Sequence, residues 1–146
     1  MIKEPLLCID ATAGTGKDTV FLAKLVGEKG RVISMDIQEM AIEQTKKRLL
    51  KERLSDRAEV VLDSHAHMDK YAQKDSVSLI MFNLGYLPGG DHSLSTKADT
   101  TIEALEKGLN LLHEGGMMSL LIYSGGDSGF EEKKQVLAWL RELPYD

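Results

Sequence analysis

The sequence predicts an α/β fold: an open, mainly parallel sheet of about five strands flanked by helices. Five short apolar runs, at 6–9, 31–35 ("RVISM"), 59–62 ("EVVL"), 77–82 ("VSLIMF") and 117–123 ("MMSLLIY"), have the near-continuous hydrophobicity of strands buried on both faces. Between most of them, apolar residues recur three and four apart, the pattern of amphipathic helices. Polar residues gather just past the runs, and open α/β sheets bind ligands beyond the carboxyl ends of their strands.

The bulk numbers narrow the class. A chain of 146 residues can bury one core but hardly two, so a single domain over 1–146 is expected. Apolar residues at 42% and charged residues at 28% are ordinary for a globular protein. No apolar run approaches the about 18 residues of a membrane span, and the start is too short in apolar residues for a signal peptide. The single cysteine, Cys8, sits in the first run and reads as a buried thiol. These features fit a reducing, cytoplasmic setting with no membrane partner. The net charge of −5 argues against indiscriminate nucleic-acid coating, and no DNA partner is expected. A local patch could still meet RNA. The densest basic stretch holds Lys46, Lys47, Arg48, Lys51, Arg53 and Arg57, and it reads first as a solvated helix face.

Taken in order, the first run ends at Asp10. A glycine-containing loop leads into a helix with Val20, Leu22, Ala23, Leu25 and Val26 on one broad face. The second run ends at Asp36 and precedes a helix carrying Ile42, Thr45 and Leu49. After the third run and Asp63, "SHAHMDKYAQKDS" is weakly periodic and supports at most a stubby helix. A later helix shows the clearest stripe, Ile102, Leu105, Leu109 and Leu112, opened by the capping-box pair Thr100 and Glu103. It should end near His113, with Gly115-Gly116 as a left-handed cap. Ser128 and Glu131 repeat the capping-box spacing before the last helix.

The loop "DATAGTGKDT", residues 10–19, admits three readings. A Walker phosphate loop needs glycine where Ala11 stands and a serine or threonine where Asp18 stands, and a carboxylate there repels phosphate. A dinucleotide fingerprint fits Gly14 and Gly16 but meets Thr19 where a small residue lets helix and strand pack closely. An S-adenosyl-L-methionine loop fits better. Asp10 is the acid ending the strand, Gly14 and Gly16 let the backbone approach the ligand, and this cationic ligand tolerates nearby carboxylates. Asp36, twenty-two residues after Gly14, can accept from both ribose hydroxyls. Asp63 can reach an adenine amino group, with Ile37 against the ring. Ala11, Gln38, Ser64, His65 and Asn83 complete the expected cofactor contacts. Any one of the strand-end aspartates could instead cap the next helix.

"FNLGYLPGGD", residues 82–91, resembles the Asn-Pro-Pro-Tyr segment of amino-directed methyltransferases. Asn83 and Tyr86 keep the outer positions, and Leu84-Gly85 replaces the prolines. An asparagine oxygen there accepts from a target amine and aims its lone pair, while the aromatic ring packs on the substrate. Asn83 and Tyr86 are therefore the expected catalytic residues. The string "HAHMDK" supplies His65, His67 and Asp69 of a metallo-hydrolase pattern but places Lys70 where a further histidine belongs, and no metal is expected.

Together "IDATAGTGKDTVFLA", "DIQEMAIEQT", "FNLGYLPGGD" and "STKADTTIEAL" resemble the bacterial rRNA-methylase family of class I methyltransferases over about residues 6–143. The resemblance implies a Rossmann-like fold and an S-adenosyl-L-methionine cofactor. It further implies a transient tRNA partner, with methylation of the aminomethyl group on a 5-aminomethyl-2-thiouridine wobble base. Thr15 and Lys17 stand where the family usually has Asn and His, and Tyr123-Ser124-Gly125 where it has Tyr-His-Gly. The family's leading helix and C-terminal strand pair have no counterpart, so a short form or a fragment is expected. The uncovered fifth strand would then invite self-association, such as a homodimer. Asp91 and His92 are candidates to take the amine proton, and Lys97, Thr100 and Thr101 to touch RNA. Two other readings stay open: methylation of rRNA or a small amine, and a cofactor-binding domain without catalysis.

Overall fold

The computed structural model describes residues 5–84, 98–122 and 126–143, the side chains of 98–99 and 126–132 excepted. In chain order come β1 (Leu7–Asp10), α1 (Lys17–Val26), β2 (Arg31–Asp36), α2 (Glu39–Lys51), β3 (Ala58–Leu62), β4 (Val77–Leu84), α3 (Ala98–Leu111), β5 (Leu112–Ile122) and α4 (Gly126–Arg141). Short 3-10 turns at Ser55–Arg57 and His65–Lys70 precede and follow β3. The second is the stubby helix expected there. The strands form one parallel sheet in the order β3-β2-β1-β4-β5. The chain runs outward from β1 to β3, then returns to the other side of β1 as β4. The tips of β1 and β4 therefore flank the point where strand order reverses, the place such sheets reserve for ligands.

Two apolar layers hold the sheet. On one face Leu22, Ala23 and Val26 of α1 and Leu49 of α2 pack on Cys8 and Val32. On the other, Ile9, Ile33, Met35, Ile80, Phe82 and Leu84 meet Ala104, Leu105 and Leu111 of α3 and Val136 of α4. Fully burying each large side chain contributes about 1.5–3 kcal/mol. Burial also pushes the Cys8 thiol up to about 11, so it stays protonated.

Several boundaries differ from the sequence reading. Leu25 and Leu109 are 49% and 44% exposed, not core. In α3 the inward face is Thr101, Ala104, Leu105, Gly108 and Leu111. Small residues let this helix sit close to the sheet: a Cβ on Gly108 would lie 2.7 Å from Met118 Cε. Both α3 and α4 begin two residues before Thr100 and Ser128, which lie inside the helices rather than at caps. Gly115 is left-handed, with φ 87°, but it sits in β5 and not at a helix end. There the register against β4 jumps from Val77↔Leu112 to Leu79↔Met117. His113 braces this irregularity. Its Nδ1 lies 2.7 Å from the Glu114 carbonyl, which can only accept, so Nε2 accepts from the Ser78 hydroxyl at 2.9 Å. Beyond it, β5 alternates with Met117 and Leu121 exposed.

Gly16 joins loop to helix. It has φ 91°, and a Cβ would stand 2.8 Å from Thr45 Cα of α2. Gly16→Ala should cost about 2–4 kcal/mol, since both the backbone region and the contact are unfavourable. A lowered urea midpoint would register this, and an unchanged midpoint would show that α2 can retreat.

Candidate functional site

The site assembles where four strand tips and the β1–α1 loop meet. Hydrogen bonds from loop to strand fix the assembly. Ala11 N–H donates to the Met81 carbonyl of β4 at 2.9 Å, and Ala13 N–H to the Met35 carbonyl of β2 at 2.8 Å. The loop is thus stitched across the tips of both neighbours of β1. Arg48 Nε of α2 adds a bond of 2.9 Å to the Thr15 carbonyl.

Asp10 stands at the base of this loop. Its carboxylate is fully buried. Oδ1 accepts from Thr12 N–H at 3.2 Å, and Oδ2 accepts from the Thr19 hydroxyl at 2.6 Å. Thr19 Oγ1 lies 2.7 Å from Ser34 Oγ, so the network reaches β2. Both of its oxygens thus serve the chain's own groups. Burial pushes its carboxyl up to about 7 against the opposing bonds from Thr19 and Thr12, and the charges of Asp18 and Asp36 push the same way.

Asp36 faces the loop. Oδ2 accepts from Gly14 N–H and Oδ1 from Gln38 N–H, both at 3.0 Å. Burial raises its carboxyl above the ordinary range, opposed by the amides of Gly14, Gln38 and Ile37. Two oxygens with about four acceptor positions keep capacity for further donors. Beside it Ile37 is 39% exposed, an apolar surface at a strand tip. Gln38 is buried at the start of α2.

Asp63 follows β3, and its N–H donates to the Asp36 carbonyl at 2.9 Å, which places the two acids side by side. Its carboxylate accepts from Ser64 N–H at 2.8 Å, lies 2.7 Å from His67 Nδ1 and accepts from Tyr71 O–H at 2.7 Å. Desolvation works against ionisation, but the bonds from Tyr71, His67 and Ser64 outweigh it and hold the carboxyl down at about 2. Ser64 Oγ accepts from Ala66 N–H at 3.1 Å and so caps the 3-10 turn. His65 points the other way, buried, with Nδ1 3.2 Å from the Ala11 carbonyl and its ring 5.5 Å from that of Phe82. Burial lowers its pKa to about 4 despite the Ala11 bond, so it is a neutral N–H donor bracing the β1 loop. The members of the metal-like string diverge: His67 pairs with Asp63, and Asp69 with Lys107.

Asn83 completes the set from β4. Its backbone N–H donates to Thr12 Oγ1 at 2.6 Å, and its side-chain Nδ2 donates to Asp18 Oδ2 at 2.5 Å. Its Oδ1 is buried with no hydrogen-bond partner among the described residues. Tyr86, Asp91, His92 and Lys97 lie outside the described residues. Of the expected cofactor residues, Asp36, Ile37, Gln38, Asp63, Ser64, Gly14 and Asn83 gather at adjoining tips. Asp10, Ala11, Gly16 and His65 act beneath them, holding the loop. Sequence reading missed Thr12 as the link between Asp10 and Asn83. No local pattern signals a contact spanning 71 positions.

The strand tips thus bring together the carboxylates of Asp36 and Asp63, the exposed Ile37 and the buried Asn83 amide oxygen. Comparison with known proteins agrees in kind. Residues 32–146 match the family described as "Putative rRNA methylase". The chain is 40% identical over 146 residues to the "tRNA (mnm(5)s(2)U34)-methyltransferase, chloroplastic" of Arabidopsis thaliana, covering 93% of this chain and 53% of that protein. It therefore spans about half the length of that relative. A "putative rRNA-methylase" from Clostridium thermocellum superposes with a TM-score of 0.93 at 52% identity, covering 98% of this chain and 76% of that one. A "putative methyltransferase" from Streptococcus mutans, solved in complex with SAH, gives 0.84 at 33% identity, covering 99% and 85%.

The buried Asp10 predicts a pH-dependent stability. An ordinary aspartate titrates near 3.9, so the native state, titrating at about 7, holds the proton more tightly than the unfolded chain. Its contribution is present at low pH and is lost as pH rises from about 4 to 7. Asp10→Asn preserves the acceptor for Thr12 and cannot ionise. Relative to the parent it should gain about 1–3 kcal/mol between pH 5 and pH 8 in urea titrations. A loss over that range would mean that the anion is the stabilised form.

Proposed function

The chain belongs to the rRNA methylase family, and on that premise we propose that it is an S-adenosyl-L-methionine-dependent methyltransferase whose substrate is tRNA. In this reading it methylates the aminomethyl nitrogen of a modified wobble uridine. The observation that carries the reading is the unpartnered, buried Oδ1 of Asn83 beside the glycine loop. It is an acceptor held ready for an N–H that the described residues do not supply, and an unsatisfied buried acceptor costs about 1–3 kcal/mol unless a ligand fills it. The name of the Arabidopsis relative supports the nucleoside, and the S. mutans complex supports the cofactor class.

The donor set fits that cofactor. Asp36 keeps acceptor capacity for a ribose diol, and Ile37 offers an apolar surface for a flat ring. Asp63, ionised and adjacent, would accept from an exocyclic amino group. When bound, S-adenosyl-L-methionine supplies an electrophilic methyl on a sulfonium and leaves as the neutral thioether. The protein's task is to bring a neutral amine in line with that methyl. Asn83 Oδ1 accepts one amine hydrogen, which turns the lone pair away from itself and toward the glycine loop. Tyr86 would pack on the base. With the cofactor bound, this arrangement would aim the amine nitrogen at the sulfonium methyl, the carbon–sulfur bond breaking as the carbon–nitrogen bond forms, and the proton shed by the amine would pass to solvent or to Asp91 or His92. Positioning of this kind can supply about 7–11 kcal/mol of barrier lowering without strong acid–base help.

Two substitutions separate binding from transfer. Asp36→Ala should weaken S-adenosyl-L-methionine binding by at least about tenfold in calorimetry, from the lost charged acceptor. Asn83→Ala should leave that affinity within a few fold and slow transfer by about 10–1000-fold. Mass spectrometry of nucleosides from undermodified tRNA, from rRNA and from a metabolite extract, each incubated with the protein and labelled cofactor, identifies the acceptor. Label confined to rRNA would overturn the tRNA assignment.

A further inference from the structure

We propose that Asp18, in the first turn of α1, is a positioning residue that sets which end of the Asn83 amide faces the target amine. The proposal rests on the methyltransferase reading above. An amide side chain has two ends that differ in chemistry but hardly in shape: an oxygen that accepts and a nitrogen that donates. If the ends were exchanged, the nitrogen would point at the amine and repel its N–H instead of holding it. Something must therefore choose between the two rotamers. The Asn83 backbone N–H, bonded to Thr12 Oγ1, fixes the main chain but is blind to the side-chain flip.

Asp18 is not blind to it. A carboxylate only accepts, so the end of the amide that meets it must be the NH2 group. The structure shows this pairing, Nδ2 to Oδ2 at 2.5 Å, across 65 positions of sequence. Oδ1 is thereby turned away from Asp18 and left buried without a partner among the described residues. Exchanging the ends would set two oxygens against each other, at a cost of about 1–3 kcal/mol or more near a charge. Asp18 is half-buried, and Thr19, its neighbour in the same turn, is held by Asp10. The helix turn that carries Asp18 is thus tied to the loop network. The residue that disqualifies this loop as a phosphate cradle is then the one that tunes the acceptor amide.

The test uses the full chain, labelled S-adenosyl-L-methionine and tRNA carrying the unmethylated aminomethyl nucleoside. Asp18→Ala should lower kcat by about 10–100-fold through misorientation of Asn83, with cofactor affinity within about twofold. Asp18→Asn can present its oxygen to Nδ2 in one of its two orientations, so it should recover part of the lost rate. A role limited to the charge at the helix start would be lost equally in both variants. Equal loss in both variants, or a normal rate in Asp18→Ala, overturns the proposal. A second readout needs no RNA. The side-chain amide signal of Asn83, identified by its disappearance in Asn83→Ala, should shift in Asp18→Ala and stay nearer its original position in Asp18→Asn. An unmoved signal in Asp18→Ala sinks the orientation role even if tRNA is the substrate. If the parent protein methylates no tRNA while the amide signal behaves as expected, the substrate reading fails and the positioning role stands.

Discussion

A carboxylate with no access to water organises this molecule. Asp10 ends the central strand and is covered by the loop it bonds to. Through Thr19 it touches α1, through Ser34 it touches β2, and through Thr12 it reaches the backbone of Asn83 on β4. Three strand tips and one helix start are thereby held in register by one buried group. Such a group is costly to desolvate and tolerable only when its partners are in place, which makes the arrangement all-or-none. The apolar layers supply the bulk of the stability, but they are non-directional. The polar network decides the geometry at the strand tips.

That division explains why the acids at the tips behave so differently. Asp10 is driven toward neutrality by burial, whereas Asp63, rimmed by three donors, stays ionised. Asp36 lies between these extremes, bound to two backbone amides yet open to further donors. Three residues of one type at or just past the ends of successive strands thus divide into a brace, a bridge to the loop and a surface anion. The neutral His65 works with the brace by holding the loop's first carbonyl from the far side.

Sheet order sets the chemistry that can follow. With β4 inserted beside β1, Asn83 is delivered to the mouth of the glycine loop, and Asp18 comes within reach of it. An amide and a carboxylate that are distant in sequence are thereby paired. The family to which the chain belongs and the superposed structures place this architecture among methyltransferases. At the tip of β4 the Asn83 oxygen is buried without a partner among the described residues.

Much was legible in the residues alone. Five apolar runs with near-continuous hydrophobicity require a parallel sheet, because only strands covered on both faces can carry them. Acids past the runs lead to the expectation of a ligand edge, and Asp18 to the expectation that the loop disfavours phosphate. These conclusions follow from local pattern, which sequence displays directly. Local pattern failed where packing chose between equivalent options. Leu109 looked like core, but small residues on the neighbouring face let α3 roll closer to the sheet. Gly115 looked like a helix cap, but the strand absorbed it as an irregularity. Asp10 is expected at a ligand, and in the fold its oxygens bond Thr12 and Thr19 of the chain itself. Whether a polar side chain faces a cleft or the interior depends on which distant groups complete its hydrogen bonds. That information exists only once the chain has brought those groups together.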